Sequence, residues 1–309
     1  MGVPAVAPTE GRLSLLDWRA ANVRASWLLA LGIVAVFAGI GYLLAIALDP
    51  SEWFTYLLVA VLVAGGQSFV AYRFSDRMAL AASGARPATI EEERYLVNVC
   101  EAVSIGAGVP VPDVYVIDAE LPNAFATGRD PEHSAIAVTS GMLRVLDRQE
   151  LEGVVAHEMA HIKNLDIRFA SMLAATVGAV VLLRDLVTRS FRYGRRTPRR
   201  SSRNSGQVVA LVVLVVALVL APVLVTLLRL AVSRRREYLA DATGAYITRN
   251  PEGLARALEK IRDFDGPPME VSQGVQHLFF TNPQFRLNGA GLLATHPPIE
   301  ERIDRLRRM

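Results

Sequence analysis

Four runs of this chain carry almost no charge. Ser26 to Leu48 has none, and as a helix it would span about 35 Å, enough to cross a bilayer. Phe54 to Tyr72 is a second uncharged run, divided from the first only by Asp49-Pro50-Ser51-Glu52-Trp53. Gln207 to Val232 is a third, broken only by Arg229. Phe169 to Leu183 is a fourth, closed at once by Arg184 and Asp185; its 15 residues fit a buried core helix as well as a membrane segment.

Between these runs the pattern changes to that of a folded domain. Thr89 and Glu92 have capping-box spacing, and Leu96, Val99 and Val103 then repeat at helical intervals before Gly106 and Gly108. Val114 to Ile117 reads as a buried strand and Ser134 to Thr139 as an alternating one. Asp147 and Glu150 form a second capping box, followed by Leu151, Val154 and Val155 on one helix face. Farther on, Asn250-Pro251 predicts a helix start, with Leu254, Leu258 and Ile261 on its buried face. Asn288 to Gly291 marks a loop, and Thr295-His296-Pro297-Pro298 precedes a charged terminal helix. There is no internal repeat.

Composition agrees with the runs. Of 309 residues 52% are hydrophobic, and the mean hydropathy is +0.30, too apolar for an ordinary soluble enzyme. The first run is too long for a cleaved signal peptide and lacks a small-residue cleavage site. Arg12, Arg19 and Arg24 precede it, and Arg73 and Arg77 follow the second run. The positive-inside rule therefore makes the two a hairpin with both ends cytoplasmic. The single cysteine, Cys100, excludes an intrachain disulfide and reads as a small buried hydrophobe.

The expected fold class is a mainly α-helical integral membrane protein with an α+β domain on the cytoplasmic face, zincin-like and catalytic because it carries His157-Glu158-Met159-Ala160-His161, the HExxH pattern of zinc peptidases. The expected order is a polar segment (1–25), a transmembrane hairpin (26–79) and a first catalytic part (80–168). A second membrane-associated hairpin (169–232) and a second catalytic part (233–309) follow.

The chemistry lies in His157-Glu158-Met159-Ala160-His161, the HExxH arrangement of zinc peptidases. Four residues apart on a helix, His157 and His161 point the same way and can share a tetrahedral metal. Glu158 lies about 100° around the helix, close enough to act on a water there without ligating. A metzincin would need Gly at position 164 and His at 167, where this chain has Asn164 and Ile167. The third ligand must come from elsewhere, and Glu237 in Arg236-Glu237-Tyr238 is the candidate. His161 lies eight residues before the fourth run and Glu237 five after the third, so both sit within roughly 8–12 Å of one membrane face. Asp241, one turn beyond Glu237, could hold a ligand imidazole in the correct tautomer. The strand Ala135, Ile136, Ala137, Val138, Thr139 could lie beside the metal and bind extended substrate by β-augmentation.

One segment resists the hairpin picture. Seven arginines between Thr188 and Gly206 would have to cross the membrane against the positive-inside rule, unless the second hairpin is re-entrant or partly embedded. Without a recognisable nucleic-acid-binding fold, nucleic-acid binding is set aside; contact with anionic lipid of the bilayer fits better.

Taken together, Asn123-Ala124-Phe125-Ala126-Thr127-Gly128, Ala137 to Gly141, His157 to Asn164, Arg236-Glu237-Tyr238 with Asp241, and Thr295-His296-Pro297-Pro298 resemble the HtpX-type heat-shock proteases. These are membrane zinc endopeptidases of the gluzincin group, related to the CAAX prenyl proteases. The resemblance runs from about Val114 to the C-terminus. It implies one Zn2+ held by His157, His161 and Glu237, with Glu158 catalytic and Asp241 and Asn164 supporting the ligands. It also implies His296 near the site, a candidate oxyanion donor, and Asn123 beside the substrate strand. The implied setting is a bacterial inner membrane with the active site facing the cytoplasm. The implied substrates are unfolded or damaged membrane polypeptides, with other membrane quality-control proteases as possible partners. A CAAX-type processing peptidase and a catalytically silent zinc-binding adaptor are the alternative readings. The first calls for a larger helical chamber, and the second leaves Glu158 without a use.

Overall fold

The structure is a computed structural model that describes residues 15–89, 91, 93–177, 234–272, 274–281 and 297–309. The run at 207–232, the arginine-rich segment, the loop at 288–291, Glu92 and His296 lie outside these residues.

Leu15–Leu48 forms α1 and Trp53–Ser83 forms α2, joined by a 3₁₀ turn at Pro50–Glu52. Asp49 caps that turn, its carboxylate accepting from the Ser51 N–H at 3.0 Å. Both helices are long and apolar enough to cross a membrane. Large side chains such as Trp27, Leu31, Leu43, Phe54 and Leu62 stay exposed along them. Both helices outrun the apolar runs that predicted them. Ala79 and Leu80, near the end of α2, pack with Ile117, Phe125, Ala135 and Ala137. Asn22, a turn before the first run, is buried against residues 164–166. The two outer ends of the hairpin are thus built into the rest of the molecule.

The sheet has four strands in the order β1-β2-β4-β3, with β1 at Arg86–Pro87, β2 at Asp113–Ile117, β3 at Ala124–Asp130 and β4 at His133–Thr139. β4 lies parallel to β2, with Val114 opposite Ile136, and antiparallel to β3, with Phe125 opposite Ala137. This corrects the expectation for the substrate strand. Ala135, Ile136, Ala137, Val138 and Thr139 are paired on both sides, so they offer no free backbone edge; the outer strand on that side is β3. Nor does β4 alternate between core and solvent. Ile136 and Val138 enter one core while Ala135 and Ala137 enter another, so both faces are buried. β3 escaped prediction because its residues, Ala-Phe-Ala-Thr-Gly-Arg-Asp, have weak strand propensity. Pairing with β4 and the burial of Phe125 hold it.

Arg94–Ala107 forms α3. The carboxylate that accepts from Thr89, at 2.7 Å from its N–H and 2.9 Å from its Oγ1, is that of Glu93. A short α4, Ser140–Val145, is capped by Thr139 Oγ1. Arg148–Lys163 forms α5, with the capping box between Asp147 and Glu150 present in both directions. Residues 166–177 are helical; Phe169, Met172, Leu173 and Val177 pack on Leu29 and Ile33 of α1 and Ala64 of α2. Arg234–Thr248 forms α6, Pro251–Asp263 forms α7 capped by Asn250, and Ile299–Leu306 forms α8. The main core joins α3, one sheet face, α5, α7 and α8.

Candidate metal centre

α5 presents His157 and His161 one turn apart, and α6 meets it at close range because of a glycine. A Cβ on Gly244 would lie 2.9 Å from the backbone nitrogen of His157. Glu237, Asp241 and Gly244 share one face of α6 at i, i+4, i+7, so that approach carries both carboxylates to the imidazoles.

The Nε2 atoms of His157 and His161 are 3.1 Å apart. Glu237 lies 3.8 Å from the first through Oε2 and 3.7 Å from the second through Oε1. A tetrahedral zinc with ligands at about 2.0–2.1 Å separates its donor atoms by about 3.3 Å. The three edges therefore fit a zinc ion, and the three residues are the group among those described that could hold a metal. No fourth protein donor joins them among the described residues, which leaves a coordination position for water or substrate.

Each imidazole is held from behind by a carboxylate. Asp241 Oδ1 lies 2.9 Å from His157 Nδ1, which places the proton on Nδ1 and leaves the Nε2 lone pair facing the other ligands. Arg302 of α8 grips Asp241 with two bonds, Nε to Oδ2 at 2.9 Å and Nη2 to Oδ1 at 2.7 Å, and is itself 1% exposed. Burial works against the Asp241 charge, but Arg302 and His157 outweigh it and hold the carboxyl down to about 2. Burial pulls His157 down to about 4 despite Asp241. His161 is also desolvated, yet Asp166, Glu237 and Glu158 carry it up to about 9. Its partner is Asp166, whose Oδ2 lies 2.9 Å from His161 Nδ1.

Asp166 was missed in the sequence, where the support was assigned to Asn164. The Asn164 side chain makes no hydrogen bond among the described residues; its backbone N–H donates to Ala160 O at the end of α5. The only signal for Asp166 is an acid five positions after His161, off the ligand face of a helix that ends at Lys163. Arg302 carried no signal.

Glu158 is 2% exposed. Burial pushes its carboxyl up to about 7, although the nearby His161 and a bond from the Ala126 N–H oppose the shift. A carboxylate poised near neutrality suits proton transfer in both directions.

Residues 277–280 line the cavity at this site. The Phe280 N–H donates to Ala124 O at 2.7 Å on the outer edge of β3. The Asn123 amide brackets Thr281, donating to its carbonyl at 2.8 Å and accepting from its N–H at 3.1 Å. Asn123 is thus occupied by the chain itself. The Phe280 ring stands edge-on to His157 with centroids 4.9 Å apart, and the Arg302 guanidinium lies 4.6 Å from its centre. The remaining cavity is about 40 Å³, room for a few waters. His277 lines it and reaches Ala170 O at 3.2 Å; His133 is exposed and pairs with Asp130 at 2.6 Å.

Similarity to known proteins extends over nearly the whole chain. A model described as peptidase family M48 matches residues 91–309. A "Protease HtpX homolog" of Thermoanaerobacter pseudethanolicus is 42% identical over 297 residues, covering 96% of this chain and 98% of its own. One from Dictyoglomus thermophilum is 45% identical over 291 residues, covering 94% and 93%. The likeness therefore takes in the N-terminal helices, beyond the stretch from Val114 onward. The crystal structure of S. mikatae Ste24p is only loosely similar, with a TM-score of 0.48 and 18% identity, covering 94% of this chain and 67% of that one. With an HExxH helix and a converging glutamate inside the matched region, the chain belongs to peptidase family M48, as a metalloprotease that carries two membrane-length apolar helices.

Proposed function

We propose that this chain is a zinc endopeptidase of a bacterial cell membrane, facing the cytoplasm and cleaving damaged or misfolded membrane proteins. The observation that carries the reading is the triangle of His157, His161 and Glu237 with the buried Glu158 beside it. These residues would hold one zinc ion, which when bound supplies a Lewis acid and makes a water acidic at neutral pH. Glu158 takes the proton of the attacking water and hands it to the leaving amine. Asp241 and Asp166 keep both imidazoles turned toward the centre throughout. A silent adaptor would have no use for a desolvated carboxylate at this position.

The orientation rests on the same contacts. The arginine-bearing ends of α1 and α2 are the ends joined to the catalytic domain, which by the positive-inside rule supports a metal centre facing the cytoplasm. The substrate adds as an extended strand along the outer edge of β3, where Phe280 and Thr281 now sit; main-chain bonding there is independent of side-chain sequence. The arginine-rich segment contacts anionic lipid.

The test is cleavage of a misfolded membrane protein by purified wild type and Glu158→Gln, with metal content measured. Glu158→Gln should keep its zinc and lose turnover by about 10²–10⁴-fold. Equal cleavage by the two forms would remove Glu158 from the mechanism.

A further inference from the structure

We infer that Asn22, on the first membrane helix, is a positioning residue of the metal centre, acting through Asp166 on His161. The inference rests on the zinc reading above and adds to it a part supplied by the hairpin. Asn22 is 2% exposed. Its Nδ2 donates to Asp166 Oδ1 at 2.6 Å and to the Asn164 carbonyl at 3.0 Å. The other oxygen of Asp166 lies 2.9 Å from His161 Nδ1. The path from α1 to a metal ligand is therefore two side-chain contacts long.

The chemistry of this arrangement is specific. A carboxylate that orients an imidazole has to keep one oxygen aimed and its charge intact. Arg236 also reaches Asp166 Oδ1, at 3.3 Å, and alone would draw the carboxylate toward itself. Asn22 fixes the same oxygen with a neutral amide, which sets the rotamer without cancelling charge. Its second bond, to the carbonyl of Asn164 at the end of α5, ties the amide to the helix that bears the ligand. A merely packed helix end would not need an amide here, because a buried amide costs free energy unless it is bonded.

The experiment uses full-length protein in detergent with zinc, and separately with cobalt as a spectroscopic probe. Asn22→Leu keeps the side-chain volume and removes the donor. It should weaken zinc in chelator competition about tenfold, at the low end for outer partners of a metal ligand. It should also shift the visible spectrum of the cobalt form and lower kcat with KM unchanged. Ser26→Ala, one turn along and bonded only to the Asn22 carbonyl among the described residues, should match wild type in all three. In an Asp166→Ala background, Asn22→Leu should change zinc affinity no further. Wild-type affinity and spectrum in Asn22→Leu, or an undiminished loss in the Asp166→Ala background, would reduce Asn22 to a packing residue and overturn the proposal. Wild-type protein that binds no stoichiometric zinc would instead overturn the metal reading and this inference with it.

Discussion

Cys100 shows how far burial alone decides a side chain's chemistry. It is fully buried on α3, and desolvation lifts its thiol from an ordinary 9.0 up to about 12. A group whose pKa is raised on folding contributes stability below its unfolded pKa and loses it as pH climbs toward the folded value. The Cys100 contribution is therefore complete at pH 8 and declines from about pH 9 upward. Native protein at pH 8 should leave Cys100 unmodified by a thiol reagent, while denatured protein reacts fully; rapid labelling of the native form would contradict its burial. Residues of the site divide by the range of their contacts. His157, Glu158 and His161 were legible because helical spacing alone sets their relation, and Glu237 with Asp241 because a second helix repeats that logic. Arg302 and Asn22 act across 61 and 144 positions. No local pattern encodes such contacts, and an arginine in a charged terminal helix looks like any solvated one. His296 lies outside the described residues, and its role stays with the resemblance that suggested it.

Elements were legible where local chemistry fixes them. α5 and α7 begin at the caps their sequences advertise, Asp147 with Glu150 and Asn250 with Pro251. β3 was not, because pairing with β4 overrides weak strand propensity there, and the six residues of α4 are too few for a helical period to show. How helices meet was also hidden, and two glycines show it. A Cβ on Gly153 of α5 would come within 2.8–2.9 Å of the Leu254 backbone on α7, and one on Gly244 of α6 within 2.9 Å of the His157 nitrogen. Neither backbone can yield cheaply, so each change to alanine should cost about 1–3 kcal/mol. The two should differ in function. Gly244→Ala pushes the carboxylates off the imidazoles and should lose zinc, whereas Gly153→Ala should melt earlier yet keep its affinity. Thermal melts with and without zinc, beside chelator titrations, separate these outcomes. Unchanged zinc binding in Gly244→Ala would show that the contact does not set the triangle.

For the whole molecule, the N-terminal hairpin and the catalytic domain are joined at both outer ends of the hairpin, through Asn22 and through Ala79 and Leu80. If the metal centre faces the cytoplasm, the turn at Asp49–Glu52 is displayed outside. Ser51→Cys in intact cells should react with a membrane-impermeant maleimide, and the buried Cys100 need not be removed first. Protection of that cysteine until the cells are lysed would invert the topology. The chain's own residues 275–281 have a further consequence. If substrate adds along the outer edge of β3, it must evict Phe280 from Ala124 and Thr281 from the Asn123 amide, and residues of the same chain compete as tethered ligands at an effective concentration of roughly millimolar order. Only a partner that arrives already unravelled, with its backbone bare over several residues, can win that contest. On that reading, discrimination between intact and ruined proteins would need no recognition of sequence: the resting occupant would set a threshold that a folded protein does not meet.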